Sequence, residues 1–308
     1  RRLNYERSGF RSLIMKTARR LASGDATQKR TGIKVLGFID KRWLEPTYWQ
    51  YLKSASRPYT PFYLLSAIDM KLDKNGHITT VDEDKKVYVD ILMRTISIAF
   101  VVTFLCLILG YPLAALMTRA SKLMKAILWV SIMLPFWSSL LARTTAWIVM
   151  LQNNGVLNNA LSAIGIKHGP LDLMFNRAGV YIVMVHILLP FAVVPIYNNL
   201  KSISPHLMKA SASLGAHPII GFFRVYLPLS LPGISAAAIL TFIISIGYYI
   251  TPSLVGNASD QMLGYFVAFY ANQTVNWGMA SALGVVLLVC VIAVLAVTAG
   301  ISRLFKFK

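Results

Sequence analysis

The stretch that decides the fold is ASASLGAHPIIGFFRVYLPLSLPGI, residues 210–234. It contains three prolines, three glycines, a histidine and an arginine, although it lies between two long apolar segments. Its small residues favour a helix over Ala210–Leu214, and Gly215 and Pro218 are expected to break that helix.

The second half of this stretch predicts another short helix over Ile219–Leu227. Pro228 and Pro232 are expected to stop it, and Gly233 permits a turn before the next apolar segment. The stretch therefore predicts two short helices joined by a bend, to which a soluble partner protein could bind.

The composition around this stretch is that of a membrane protein. Of the 308 residues, 56% are hydrophobic and 14% are charged, whereas soluble domains carry about 25% charged residues. A helix needs about 20 apolar residues to cross the hydrocarbon core, and lipid leaves exposed backbone amides without partners. Continuous runs without alternation predict five membrane-spanning helices, over Thr95–Met117, Ala126–Leu151, Ala178–Leu200, Ser230–Val255 and Met279–Ser302.

Basic residues in the short loops predict the orientation, because they mark the cytoplasmic side. Nine lie in the segments 119–125, 201–224 and 303–308, whereas loops 152–176 and 256–278 contain one. We therefore expect the 210–234 stretch and the C-terminus to be cytoplasmic and residues 1–90 to be extracytoplasmic. An extracytoplasmic region at 1–90 requires a membrane span before it, and the given sequence does not show one. We therefore also expect a first helix upstream, which would give six spans.

Residues 1–90 predict a small basic region of helices and a hairpin, with Asn75-Gly76 suited to its turn. The formal net charge of +19 does not indicate nucleic acid binding. Eighteen of the 31 basic residues precede Ile91, mixed with ten of the twelve acids, and no basic stripe with interleaved aromatic residues occurs.

At the 210–234 stretch the chain resembles the permease subunits of bacterial binding-protein-dependent ABC importers. Their cytoplasmic loop runs Glu-Ala-Ala, three residues, Gly, nine residues, Ile, one residue, Leu-Pro. Lys209 stands in place of the acid and Ser211 in place of the second alanine. The positions that follow the pattern are Ala210, Gly215, Val225, Leu227 and Pro228.

The resemblance covers about residues 88–308 and is closest to the spermidine/putrescine-type branch. Three further segments carry it: LGYPLAALMTRA at 109–120, LPFWSSLLARTTAWIVML at 134–151 and GYYITPSLVG at 247–256. It implies an all-α integral membrane protein of the bacterial inner membrane with the ABC importer permease fold. The permease domain would cover 91–308, with a coupling loop at about 201–229.

A permease of this type has no catalytic centre and no metal or cofactor of its own. The resemblance implies two ATPase subunits that hold ATP and Mg, a second permease subunit (a paralogue or another copy) and an extracytoplasmic binding protein. In agreement, the sequence contains no Gly-Lys dipeptide and so no phosphate-binding loop of the G-x-x-x-x-G-K-[ST] type. The residues expected to contact the ATPase are Ala210, Leu214, Gly215, Ala216, His217, Pro218, Leu227 and Pro228.

Two other classes of membrane protein compete with this interpretation. A secondary transporter or channel usually needs acids or an unwound coordinating helix within the membrane, and the five runs contain no Asp or Glu. A membrane-embedded enzyme needs paired acids or a motif such as H-E-x-x-H, and neither occurs. His186, the only mid-span histidine, is interpreted as a helix-contact or pore residue.

The candidate substrate path consists of polar and aromatic residues near the outer ends of the spans. Arg143 leads because a charge within a span rarely faces lipid, although it could instead pair with Asp172. Trp and Tyr are also common at membrane interfaces for reasons unrelated to transport. The candidates are Arg143, Trp147, Asn153, Asn154, Tyr248, Tyr249, Asn276 and Trp277.

The sequence leaves the small polar solute open. A polyamine is a cation and suits aromatic faces such as those of Tyr248 and Tyr249. Arg143 instead suits a carboxylate-bearing solute, such as an opine or an amino-acid-like compound.

Overall fold

The computed structural model describes residue 3 and residues 8–23, 32–55, 60–73, 77–165 and 171–306. Its contacts divide the chain into two compact units, Arg1–Lys86 and Val87–Lys308. The division falls slightly before the predicted boundary at residue 90, because the first long helix already begins at Tyr88.

The first unit consists of short helices followed by two short strands. Met70 lies opposite Thr80 and Leu72 opposite Ile78 in an antiparallel pair, and the predicted Asn75-Gly76 turn lies outside the described residues. The elements are α1 (Phe10–Ala22), α2 (Ile33–Ile39), a 3₁₀ turn (Lys41–Leu44), α3 (Pro46–Ala55), α4 (Phe62–Ser66), β1 (Met70–Leu72), β2 (Ile78–Thr80) and a second 3₁₀ turn (Glu83–Lys85).

An aromatic cluster forms the core of the first unit. Phe10 of α1 contacts the rings of Trp43 and Tyr48, with centroids 6.3 and 5.4 Å away. The indole Nε1 of Trp43 donates a hydrogen bond of 2.8 Å to Thr17 Oγ1, so the buried polar atoms are paired.

Asp40 ties α1 to the 3₁₀ turn that follows α2. One carboxylate oxygen accepts from Arg42 Nε at 2.9 Å, and the other accepts from Lys16 Nζ at 3.0 Å. The bidentate bond from Arg42 favours the charged carboxylate and holds the pKa of Asp40 well below its usual range.

In the described residues of the second unit, all the regular secondary-structure elements are helices. Its elements are α5 (Tyr88–Arg119), α6 (Lys122–Trp137), α7 (Leu140–Leu151), α8 (Val156–Ala163), α9 (Arg177–Ser202), α10 (Pro205–Ser213), α11 (Pro218–Ile246), α12 (Ile250–Val255), a 3₁₀ turn (Ala258–Asp260), α13 (Leu263–Asn272) and α14 (Trp277–Lys306).

Four helices in the described residues are long and apolar enough to cross a membrane: α5, α9, α11 and the Trp277–Thr298 part of α14. The apolar run at 126–151 does not form the expected single helix. It is divided between α6 and α7, and the chain bends by 106° between α6 and the helical stretch Leu140–Ala163, which includes α7 and α8. Ser138 is extended there, and the hydroxyl of Ser139 caps α7 by accepting from the amide of Ala142 at 3.1 Å. Counted as one broken span, this pair makes five.

The prediction that Pro228 and Pro232 stop a short helix was wrong. The chain is helical from Pro218 to Ile246, with one π-helical turn at Phe222–Tyr226. Prolines are tolerated in membrane helices where a local π adjustment accommodates the missing amide donors. Gly233 makes no turn and instead lies within α11.

Helices α5, α9 and α11 form the centre of the second unit. The apolar 18-residue part of α9 is 61% buried, compared with 17% for the corresponding part of α14. Gly110 of α5 lies against Ala192 and Val193 of α9, where a Cβ would be 3.4 Å from the Ala192 methyl group. Tyr111 and Ser230 join α5 to α11 through hydroxyl groups 3.2 Å apart. This packed trio supports the more exposed elements that carry the predicted site residues.

Candidate functional site

The predicted bend at Gly215 is present. Helix α10 ends at Ser213, and Gly215 has a φ of +81°, a left-handed conformation that glycine adopts without strain and most other residues do not. The amides of Gly215 and Ala216 donate back to the carbonyls of Ala212 and Ser211 at 2.9 and 3.1 Å. These bonds satisfy the free carbonyls at the end of α10. We call residues 205–226 the elbow.

The far side of the elbow is fixed by a cap and by close packing. His217 Nδ1 accepts from the amide of Ile219 at 3.4 Å, and Pro218 occupies the first turn of α11. Gly221 is buried, and a Cβ there would lie 3.1 Å from Ser211 Oγ and 3.3 Å from Met208 Cε. The two arms of the elbow therefore hold a defined angle.

The elbow exposes apolar side chains. Leu214 at its tip is 88% exposed, and a Cβ on Gly215 would have no atom within 4 Å. The exposed large apolar residues of the elbow are Leu207, Leu214, Ile219, Ile220 and Phe223. A group of exposed large apolar side chains on one short segment is typical of a protein contact.

The predicted coupling residues lie largely on this exposed surface. Those that are exposed are Ala210, Leu214, Gly215, His217, Pro218 and Pro228. Ala216 and Leu227 are half-buried. Leu227 and Pro228 follow the π-helical turn within α11 and so lie beyond the elbow itself.

A second group of predicted residues gathers around His186. Trp147 of α7 donates from its indole Nε1 to His186 Nδ1 of α9 at 3.1 Å, and the ring centroids are 5.1 Å apart. Arg143 precedes Trp147 by one helical turn, and its charge acts on both His186 and Tyr248. We call Arg143, Trp147, His186 and Tyr248 the polar cluster.

Buried hydroxyl contacts hold the polar cluster together. Thr144 of α7 and Thr251 of α12 are fully buried, with their Oγ1 atoms 3.3 Å apart. Tyr248 lies in the break between α11 and α12, three residues before Thr251. Helices α7, α9 and this break therefore meet at one place.

The cluster presents mainly hydrogen-bond donors. Because His186 Nδ1 accepts from Trp147, a neutral imidazole carries its proton on Nε2. Within the described residues, the buried Nε of Arg143 has no hydrogen-bond partner. The expected alternative partner, Asp172, forms no ion pair with Arg143 in that part of the chain.

Four of the predicted path residues have other places in the structure. Asn153 is exposed in the turn after α7, and Trp277 is 63% exposed at the start of α14. Asn276 caps α14, since its Oδ1 accepts from the Met279 amide at 3.3 Å. Tyr249, next to Tyr248, packs against Gly264, where a Cβ would be 3.3 Å from that of the tyrosine. The structure does not bring these four side chains into the polar cluster.

Two features of the site were missed by sequence reasoning. The bond between Trp147 and His186 joins residues of separate helices, α7 and α9. Asp260 is 1% exposed and accepts from Arg177 Nε at 2.9 Å, while Arg94 donates to the Ser259 carbonyl beside it. Nothing in the local sequence marks either long-range pair.

Among the described residues, no three His, Cys, Asp or Glu side chains are grouped so that they could hold a metal ion. The two sites therefore offer a protein-docking surface and a group of hydrogen-bond donors and aromatic rings.

Comparison with known sequences extends over the second unit. A family described as binding-protein-dependent transport system inner membrane component matches residues 89–307. The spermidine/putrescine transport system permease protein PotB of Escherichia coli (strain K12) is 29% identical over 221 residues, 72% of this chain and 80% of that protein. The inner membrane ABC transporter permease protein YdcU of the same strain is 35% identical over 223 residues, 67% of this chain and 70% of that protein.

Solved structures are similar in fold. The crystal structure of a bacterial ABC transporter involved in the import of the acidic polysaccharide alginate aligns with a TM-score of 0.57. The alignment covers 87% of this chain and 96% of that chain at 18% identity. At this identity the similarity concerns the fold.

Proposed function

This chain belongs to the family of binding-protein-dependent transport system inner membrane components, and from that premise we propose that it forms part of the path of a polyamine importer. The predicted fold class, a helical membrane protein with the ABC importer permease fold, is confirmed by the family match and the structural similarity. The chain is thus a multi-pass transport permease rather than a secondary transporter. The proposal concerns its solute, its partners and its orientation.

The observation that carries the proposal is the exposed elbow within the family region. Two ATPase subunits would receive the apolar side chains around Leu214, and they would hold ATP and Mg outside this chain. A second permease subunit would complete the path, and an extracytoplasmic binding protein would deliver the solute. The left-handed Gly215 fixes the angle through which a movement of the ATPase would reach α11.

The polyamine assignment is supported by the names of the PotB relatives and by the aromatic rings of the polar cluster. Ammonium groups bind to the faces of aromatic rings, and Trp147 and Tyr248 supply two. Arg143 would repel a cation that rested beside them. A transport path needs binding weak enough for release, so this repulsion would keep the solute moving.

One observation favours a second candidate solute. The guanidinium Nε of Arg143 is buried without a hydrogen-bond partner in the described residues, and a carboxylate is its natural partner. An opine or amino-acid-like solute would supply that group. Uptake of labelled spermidine in competition with carboxylate-bearing compounds distinguishes the two solutes.

The direct test uses the permease assembled with its partners in proteoliposomes. Spermidine uptake should require ATP inside the vesicles and loaded binding protein outside. Arg143→Leu should insert normally and impair uptake, whereas the control Val149→Leu, at an exposed position on the same helix, should transport normally. Uptake that persists without an ATPase, or full uptake by Arg143→Leu, would contradict the proposed coupling or the proposed path, respectively.

We further propose that residues 1–90 are extracytoplasmic and that the elbow and the C-terminus are cytoplasmic. Thr79 and His206 are both exposed, one in β2 and one in the elbow. An impermeant thiol reagent should label Thr79→Cys in intact spheroplasts and His206→Cys only after lysis. The reverse pattern would invert the topology.

A further inference from the structure

The first unit has an excess of positive charge in its sequence and, among its described residues, exposed apolar side chains. Residues 1–86 contain 18 Lys and Arg and 9 Asp and Glu, an excess of nine positive charges. Such an excess is unnecessary for the aromatic core, whose members are uncharged. We therefore relate the excess of basic residues to a binding partner of the first unit.

Helix α1 shows this combination most clearly. Phe10, Leu13 and Thr17 face the core, so the opposite side of the helix turns outward. Met15 and Arg19, one turn apart, lie on that outward side, and Met15 is 48% exposed. Ile14, on one flank, and Leu21, one turn after Thr17, are each 41% exposed, and Arg20 is also exposed.

The region of α2 repeats the combination. Phe38 is 56% exposed and Leu44 is 60% exposed, and with Lys34 and Gly37 they line an open groove of about 350 Å³. Lys41 is exposed beside them. Exposed apolar residues interleaved with lysines and arginines are typical of surfaces that lie in the headgroup layer of a membrane.

The covalent connection between the first unit and α5 indicates which surface the basic and apolar side chains contact. The first unit ends at Lys86, and α5, which crosses the membrane, begins at Tyr88. The unit is therefore held within reach of a bilayer surface at a high effective concentration. We propose that the outward face of α1, centred on Met15 and Arg19, docks on the anionic phospholipid surface of the membrane in which the chain is embedded. The apolar side chains enter the headgroup layer and the basic ones pair with lipid phosphates.

The test follows the surroundings of Met15 in the full-length chain. Met15→Cys in a Cys290→Ala background, with Cys106 fully buried, carries an environment-sensitive fluorophore. The protein is placed in nanodiscs of phosphatidylcholine alone or of phosphatidylcholine mixed with phosphatidylglycerol. Fluorescence should shift to the blue, and headgroup spin labels should quench it, only in the mixed discs. Added salt should reverse both effects because it screens the charges.

Charge removal provides the matched comparison. Each basic residue near an anionic surface contributes enough that its loss lowers the docked-to-undocked ratio about fivefold. Arg19→Gln/Arg20→Gln should therefore reduce this ratio strongly, whereas Lys53→Gln/Lys71→Gln, with the same loss of charge outside α1, should reduce it little. Equal quenching in both kinds of disc, or equal effects of the two double variants, would overturn the proposal. A blue shift that depends on added binding protein and not on lipid charge would instead make the face a protein-docking surface, and would overturn the proposal equally.

Discussion

Gly215 in the elbow and Gly233 in the packed trio are both essential to the local geometry, but other residues are disfavoured at the two positions for different physical reasons. Gly215 has a φ of +81°, and a Cβ there would meet nothing within 4 Å. Gly233 has ordinary helical geometry, and a Cβ there would lie 2.5 Å from the Cβ of Asn199 on α9. The elbow is therefore restricted by backbone conformation, and the crossing of α9 with α11 by space.

The largest effect is expected at the crossing. Gly233→Val would force α9 and α11 apart, because overpacking costs about 1–3 kcal/mol or more where the neighbour cannot move. We expect little folded protein after detergent extraction and a lower melting temperature. Gly284→Val in α14, where a Cβ meets no atom within 4 Å, is the matched control and should be tolerated. If both variants melt like the wild type, the close crossing is wrong.

The next effect is expected at Gly215. A left-handed conformation costs about 1–2 kcal/mol for most residues, whereas asparagine adopts it readily. Gly215→Val should insert normally but lose most of the ATPase stimulation by loaded binding protein, and Gly215→Asn should keep it. The measurement is ATPase activity of the reconstituted transporter. Equal losses in both variants would show that the docked ATPase excludes any side chain, so that space limits the elbow too.

A smaller effect is expected in the polar cluster, where a single hydrogen bond joins α7 to α9. Trp147→Phe removes the donor to His186 Nδ1 but retains a ring, and one hydrogen bond contributes about 0.5–1.5 kcal/mol. Uptake should fall about two- to tenfold. Trp277→Phe, at an exposed position, should have no effect. Similar losses in the two variants would remove the Trp147–His186 bond from the mechanism.

In the first unit, stability depends on charge rather than on backbone conformation or on space. The lowered pKa of Asp40 means that its ion pairs stabilise the unit above about pH 4, the usual pKa of aspartate. This contribution should disappear as the pH falls through the lowered pKa. Protection of the α1 amides in the full chain, measured against the intrinsic exchange rate at each pH, should fall below pH 4 in the wild type. Asp40→Asn should exchange faster at pH 7 with less change on acidification; an unchanged acid response would contradict this origin.

The smallest effect is expected at Lys209. Its side chain stands where the permease loop pattern has a glutamate, and its backbone carbonyl, which accepts from Ser213 Oγ at 3.1 Å, survives substitution. Lys209→Ala should leave stimulated ATPase activity within about twofold of wild type, since exposed charges contribute little. Lost coupling in Lys209→Ala together with normal coupling in Gly215→Val would show that charge, and not the bend, governs the elbow.

The comparison of the two glycines also shows what the sequence could predict. Gly215 was identified because Pro218 and the small residues before it mark a bend locally. Gly233 was misinterpreted as a turn, because its close neighbour Asn199 belongs to another helix and leaves no local sign. The same distinction explains the prolines: their local preference predicts a helix end at Pro228, whereas the π-helical turn and the packing of α11 preserve the helix.

The candidate sites follow the same rule. Arg143 was selected because a charge within a span rarely faces lipid, and Trp147 and Tyr248 were selected as aromatic residues near the outer ends of spans. Their meeting with His186 depends on the approach of α7 to α9, which the 106° bend at Ser138 helps to set. Asn276 was selected as a path residue because it is polar, but its amide is engaged in capping α14.

The π-helical turn at Phe222–Tyr226 also sets the phase of α11. A π turn holds about one residue more than an α turn, and one residue corresponds to about 100° of rotation around the helix axis. The exposed side chains of Ile219 and Ile220 are therefore turned by about that angle from the direction that an uninterrupted helix would give them. The direction in which the exposed side chains of the elbow point can thus be set independently of the direction in which α11 packs against α9.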